Sequence, residues 1–286
     1  MPKVAVVTDS TASLPAGLAE ELGILVVPLQ VVIGATSYDD GIDPEASPEH
    51  VAQALMDYVP VSTSRPSPAV MGDAYARAAA AGAEEIVSVH LSAEVSATYE
   101  SALLAARKSR VPVHTVDTRQ IGAGTGYAAR AAARAAAEGA TGSEAAEVAR
   151  KRAELVSSLF YVDTLEHLRR GGRMGAAAAL LGSALAVKPI LCVENGRISP
   201  KEKVRTAARA LARLEDLAVE AGGTADVEVA VSHLANPEGA ATLASKLATR
   251  LADNLAGRDI EVAEVAAVLG AHVGPGLVGV VVAPTA

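Results

Sequence analysis

The side chains of this 286-residue chain that could do chemistry fall into a few tight groups. Hydroxyls form three clusters: Thr8-Asp9-Ser10-Thr11-Ala12-Ser13, Ser62-Thr63-Ser64-Arg65-Pro66-Ser67-Pro68, and His90-Leu91-Ser92-Ala93-Glu94-Val95-Ser96-Ala97-Thr98-Tyr99. Ser and Thr are neutral donors that can hold an anion without adding charge of their own. Cations gather in Arg169-Arg170-Gly171-Gly172-Arg173, and a single histidine sits among glycines in Gly270-Ala271-His272-Val273-Gly274-Pro275-Gly276. A guanidinium suits a carboxylate or phosphate; an imidazole can bond a carboxylate or act as a base. Each group also has a plainer reading. The hydroxyls can be helix N-caps, the arginines a solvated helix C-terminus, and His272 an ordinary loop residue. A second basic run, Lys201, Lys203 and Arg205, reads as a charged face ahead of a helix.

Several chemistries are argued against by missing patterns. The six histidines show no HExxH spacing, and one cysteine, Cys192, allows neither an internal disulfide nor a cysteine-rich metal site. No G-x-S-x-G elbow and no G-x-x-x-x-G-K-[ST] phosphate loop occurs. Gly122-Ala123-Gly124-Thr125-Gly126 has the wrong third spacing for a dinucleotide fingerprint, and it reads as a permissive strand-to-helix turn. No cofactor, metal or catalytic residue set is therefore expected. A net charge of −8 argues against a nucleic-acid partner, which needs a basic face. No leader pattern opens the chain, and the longest apolar run, residues 176–187, is broken by Gly182 and Ser183. That run is short of the roughly 20 residues a membrane span needs, so a cytoplasmic location is expected.

The elements that must position these groups follow from periodicity. Short β-rich runs at residues 3–7, 24–33, 86–89 and 113–116 alternate with helical stretches at 15–22, 48–58, 68–81, 95–108, 125–138 and 143–157. Such alternation predicts an α/β domain with an open parallel sheet flanked by helices, and a small β-hairpin insertion at about 24–43. From about residue 159 the pattern resets. Asn195-Gly196, flanked by strand candidates at 187–193 and 197–199, is a strong hairpin signal. Further strands are expected at 159–162, 227–231, 260–265 and 277–282, with helices at 165–170, 204–220 and 237–254. This predicts a C-terminal α+β sandwich with a mostly antiparallel sheet. The expected domains are thus 1–158 and 159–286, with a ligand between them. In open α/β sheets ligands collect beyond the strand carboxyl ends, where all three hydroxyl clusters fall. Half the residues are apolar, mostly Ala, Val and Leu, with one Phe and no Trp. Short aliphatic side chains can wall a narrow channel or simply pack helices on a sheet.

These segments together resemble the DegV family of bacterial fatty-acid-binding proteins over nearly the whole chain. The resemblance is carried by Thr8-Asp9-Ser10-Thr11 with Leu14-Pro15, Thr63-Ser64-Arg65-Pro66-Ser67-Pro68, Leu91-Ser92 with Ser96-Ala97-Thr98-Tyr99 and Ser101-Ala102, and Val116-Asp117-Thr118. It continues in Asp163-Thr164-Leu165, Leu168-Arg169-Arg170-Gly171-Gly172-Arg173, Lys188-Pro189-Ile190-Leu191, and the Gly270–Gly276 glycine segment around His272. Arg65 stands where the family often has Gln, and Ala97 where Gly is common. The resemblance implies a long-chain fatty acid between the two domains, its carboxylate contacted by Thr63 and Ser96. His272 and an arginine, Arg173 or Arg170, would complete the network. It further implies a separate fatty-acid kinase that phosphorylates the bound acid, and it allows transient membrane contact. Two rivals remain at this level. One is an enzyme acting on a small carbonyl or acyl substrate, with His272 as base or covalent anchor. The other is a regulatory or interaction module.

Overall fold

The structure, a computed structural model, describes residues 3–180 and 188–285. Most of the apolar run at 176–187, and the expected strand start at Val187, lie outside the described residues. In chain order the strands are β1 Val4–Asp9, β2 Ile24–Val27, β3 Gln30–Ile33, β4 Thr36–Asp39, β5 Val61–Ser64, β6 Glu85–His90 and β7 Val113–Asp117. They continue as β8 Ser157–Tyr161, β9 Lys188–Glu194, β10 Arg197–Val204, β11 Val227–His233, β12 Glu261–Glu264 and β13 Val278–Pro284.

Four parallel strands, in the order β2-β1-β6-β7, form the first sheet. Successive residues of a strand face opposite sides. Val6 and Val87 accordingly meet the alanine-rich helices Ala123–Ala137 and Gly142–Glu154. Val7 and Ile86 meet Pro68–Ala80 and Thr98–Ala106 on the other face. The alternation read from the sequence is this doubly covered sheet.

The insertion differs in detail from the expected hairpin at 24–43. Residues 24–27 belong to the parallel sheet, because Pro28 has no N–H for a ladder and ends the strand there. The hairpin itself is β3 and β4, joined by Gly34-Ala35. Its third strand is β5, paired antiparallel to β3 with Thr63 opposite Val31. Nothing in the polar sequence of this segment marks it as a strand.

The second half holds a six-stranded sheet in the order β10-β9-β8-β13-β11-β12, antiparallel except for β11 and β12. Helices Ala207–Gly222 and Pro237–Arg250 cover one face through Leu214, Leu217, Leu243 and Leu247. The other face, including Phe160, Leu191 and Ile198, packs with Ala52, Val95 and Ile121 of the first half. Asn195 and Gly196 both have positive φ, at 52° and 81°, as a two-residue hairpin turn requires. The turn also ties the halves together: Ser92 Oγ donates to the Gly196 carbonyl at 2.7 Å and Arg119 to the Asn195 carbonyl at 2.8 Å. Lys201 and Lys203 lie on the edge strand β10, with Arg205 just after it, because Thr206 caps a helix that begins only at Ala207. Cations on an edge strand discourage pairing with another chain.

Candidate ligand-binding site

Thr63, Ser96, Arg173 and His272 line one cavity of about 360 Å³ between the two halves. Each reaches it from a different element. On β5 the side chains alternate, so Thr63 points inward while Ser62 and Ser64 are exposed. His272 is in the last turn of helix Ala267–Val273, not in an open glycine loop as the sequence suggested. That helix packs Ala267, Val268 and Ala271 against Leu29, Val31 and Val51. Residues 268, 271 and 272 share one helical face at i, i+3 and i+4 spacing, which brings His272 to the strand carrying Thr63. The helix is anchored from the other half by Asp40, whose Oδ1 accepts from the Ala267 N–H at 3.1 Å. Burial raises the Asp40 carboxyl above its usual range. Sequence reasoning missed Asp40, since nothing in its neighbourhood marks a partner 227 residues away.

Thr63 Oγ1 and His272 Nε2 are 2.8 Å apart. Burial, and then the Arg173 charge, push His272 down to about 4, so its ring is neutral at pH 7. Nδ1 is buried without a hydrogen-bond partner. A bare ring nitrogen tolerates this better than an N–H does, which assigns the proton to Nε2. His272 then donates to Thr63, and the Thr63 hydroxyl proton is free to reach an acceptor in the cavity. Ser96 Oγ accepts from the Thr98 N–H at 3.3 Å and lies 2.9 Å from Thr98 Oγ1. It thus serves the start of helix Thr98–Ala106 and lines the cavity as well. Arg173 donates to two backbone carbonyls, Val95 at 3.1 Å and Gly171 at 2.6 Å. Arg169 and Arg170 are instead paired with Glu166. Arg170 does not line this cavity. It lines a second, polar one of about 410 Å³ that shares Thr63, Arg173 and His272 with the first and adds Ser62 and His167.

Apart from Ser64 and Arg65, the remaining lining of this cavity is aliphatic. Leu91, Ile121, Leu168, Ile198, Leu269 and Val273 form most of it. Ile121, Leu269 and Val273 also border a small apolar pocket of about 70 Å³ that runs on to Phe160, Leu277 and Val281. The polar groups are thus at one end and a greasy continuation at the other. Sequence reasoning did not find this wall, because its residues come from many separated segments and each reads as ordinary core. Arg65 crosses the rim, donating to the Ala97 carbonyl at 3.2 Å, so the two departures from the family pattern touch each other.

The first hydroxyl cluster does not join this site, contrary to the expectation that all three would. Asp9 is fully buried; it accepts from the Thr11 N–H and hydroxyl and the Leu91 N–H, and pairs with His90 Nδ1 at 2.8 Å. His90 Nε2 lies 2.7 Å from Ser88 Oγ, which is 2.8 Å from the Tyr75 hydroxyl. This Ser-His-Asp order has the distances of a nucleophilic triad. Yet all three residues are fully buried, with the Ser88 hydroxyl turned to Tyr75, so it is a satisfied polar core. Gly122 takes φ 57° ahead of helix Ala123–Ala137, the permissive turn expected of it. Among the described residues no group of three or more His, Cys, Asp or Glu is placed to hold a metal, and no helix is long and apolar enough to cross a membrane.

A parallel α/β half and a mostly antiparallel half, with a cavity lined by both polar and aliphatic side chains between them, define a two-domain α/β architecture. The chain belongs to the DegV family, whose sequence pattern, described as that of an uncharacterised protein family, matches residues 3–285. It is 54% identical over 280 residues to a DegV domain-containing protein of Streptomyces coelicolor, covering 98% of each chain. With a DegV domain-containing protein of Mycobacterium tuberculosis it shares 38% identity over 283 residues, 98% of this chain and 96% of that one. Among solved structures it matches a DegV family protein of Thermus thermophilus, described by its fatty-acid binding, at 30% identity and TM-score 0.91. It matches DegV of Bacillus subtilis, described as a fatty acid binding protein, at 29% identity and TM-score 0.90. Both comparisons cover the whole of both chains.

Proposed function

We propose that this protein binds a long-chain fatty acid between its two halves and presents the carboxylate to a separate fatty-acid kinase in the cytoplasm. The observation that carries this reading is the polarity of the cavity. Thr63, Ser96 and Arg173 supply donors at one end, and aliphatic side chains continue from there towards Phe160. The Thermus thermophilus and Bacillus subtilis structures support it, since both are described as fatty-acid binding. Burying about fifteen methylenes at ~0.8 kcal/mol each gives ~12 kcal/mol gross, against an association cost of ~4–15 kcal/mol. The tail therefore supplies affinity. The polar end decides that a carboxylate belongs there, because an unpaired buried carboxylate would be prohibitive.

Within this reading Thr63 and Ser96 donate to the carboxylate, Arg173 neutralises it, and His272 holds Thr63 as a donor. Arg170 faces the adjoining polar cavity, the side from which a kinase would approach the same carboxylate. The exposed Lys201, Lys203 and Arg205 offer that kinase a cationic docking edge. A base with a pKa near 4 and no group behind its Nδ1 is poorly matched to proton abstraction at pH 7, which disfavours the small-substrate enzyme. Extraction and mass spectrometry of ligand from gently purified protein tests the binding half, with a saturated or monounsaturated fatty acid expected. Polar metabolites alone would overturn it. Acyl-phosphate should form from ATP only when a kinase is added; its formation by the isolated chain would refute the division of labour.

A further inference from the structure

The end of helix Glu166–Arg170 and the end of helix Ala267–Val273 meet behind the polar end of the cavity, and each is closed by a glycine. The His272 ring lies against Gly171. A Cβ there would fall far inside contact distance of Nδ1 and 2.9 Å from Cε1. The contact is reciprocated, since the His167 ring lies against Gly274, where a Cβ would be 2.6 Å from Nε2. Each helix thus lays a histidine over the glycine that ends the other.

Backbone conformation does not account for Gly171. Its φ is −73° and ψ −9°, which any residue adopts. The left-handed residue needed to leave the helix is the next one, Gly172, with φ 70° and nothing within 4 Å of its missing Cβ. So the two adjacent glycines have different causes. Gly172 turns the chain, and Gly171 makes room for an imidazole. The Gly171 carbonyl also accepts from Arg173 Nη1 at 2.6 Å. One residue therefore touches both Arg173 and His272.

We propose that Gly171 is a positioning residue for ligand binding: its bare Cα seats the His272 ring so that Nε2 stays in hydrogen-bond reach of Thr63, and the His167–Gly274 contact clamps that seat from the other side. The proposal rests on the fatty-acid reading for its effect on affinity, but the seat itself is a property of the ligand-free protein. A Cβ at Gly171 displaces the ring, and the 2.8 Å contact to Thr63 is the first interaction lost.

Gly171→Ala tests this in delipidated full-length protein with palmitate as the probe. The variant should bind roughly threefold to tenfold more weakly, the size of one hydrogen bond between neutral groups. The His272 imidazole signals, assigned in nitrogen-15 NMR spectra of the ligand-free protein, should shift. In a His272→Ala background the space is vacated, so adding Gly171→Ala should change palmitate affinity less than twofold. Equal weakening in both backgrounds would mean that Gly171 acts through Arg173 or the fold, and would overturn the proposal. So would unchanged His272 signals. Should Gly171→Ala alone fail to fold, the double variant should recover folding; failure of both would count against the seat. If wild-type protein ignores palmitate, the fatty-acid reading falls, while the ligand-free spectra still decide whether Gly171 seats the ring.

Discussion

Replacing Thr63 by Val removes a hydroxyl and keeps the β-branched shape that suits β5. In the free protein the loss leaves His272 Nε2–H without the acceptor it has at 2.8 Å. An unsatisfied buried donor costs about 1–3 kcal/mol, towards the low end here because the cavity can admit water. In the complex the carboxylate loses a donor, and a hydrogen bond to a charged group is worth about 1.5–3 kcal/mol. At ~1.4 kcal/mol per tenfold, palmitate should bind Thr63→Val roughly tenfold to a hundredfold more weakly. Thr63→Ser keeps the hydroxyl and should stay within about threefold of wild type. Calorimetric titration of delipidated protein, beside urea unfolding of the same samples, separates the two effects. If Thr63→Val loses stability but binds palmitate as wild type does, the hydroxyl serves only His272. The carboxylate has then been placed at the wrong end of the cavity.

Arg173→Met should weaken palmitate binding at least tenfold and raise the His272 pKa towards its ordinary value, because the Arg173 charge is one cause of the depression; an NMR titration reads the second effect, and an unmoved His272 would contradict it. His272 titrates near 4 when folded and near 6.5 when unfolded, so the unfolded chain holds more protons between those values and stability falls as pH drops through that window. Wild type should lose on the order of 2 kcal/mol more than His272→Gln between pH 7.5 and 4.5 in urea unfolding, and equal losses would refute the neutral, buried ring. Gly279 borders the small apolar pocket, where a Cβ would make an ordinary 3.5 Å contact with Phe160. Gly279→Val should therefore fold and shift binding from stearate towards shorter acids, whereas an unchanged chain-length profile would place the tail elsewhere.

Much of the architecture was legible because local signals agreed with the tertiary outcome. Alternating apolar runs and alanine-rich helices announced the parallel sheet, and Asn195-Gly196 announced the β9–β10 turn. The misses share a cause. Val61-Ser62-Thr63-Ser64 is polar and sits between Pro60 and Pro66; it becomes a strand only because β3 offers a free edge. Ala267–Val273 is seven residues long with a glycine inside it, and propensity argues against it. It is helical because Leu29, Val31 and Val51 accept its apolar face and Asp40 holds its first N–H. Both elements carry residues of the candidate site. The family pattern offered Thr63, Ser96, Arg173 and His272 as candidates, and the structure brings them to one cavity, but the pattern did not offer the hydrogen bond between Thr63 and His272 across 209 residues. The aliphatic wall was illegible for a different reason, since residues such as Ile121 and Leu269 look like any other core until the two halves are brought together.

The most direct test of the account is a crystal structure of the protein with palmitate bound. The carboxylate should lie about 2.7–3.0 Å from Thr63 Oγ1 and from an Arg173 nitrogen, with the methyl end directed towards Phe160 and Val281. A carboxylate beside Phe160, or a fatty acid bound outside the cavity that Thr63 and His272 share, would contradict it.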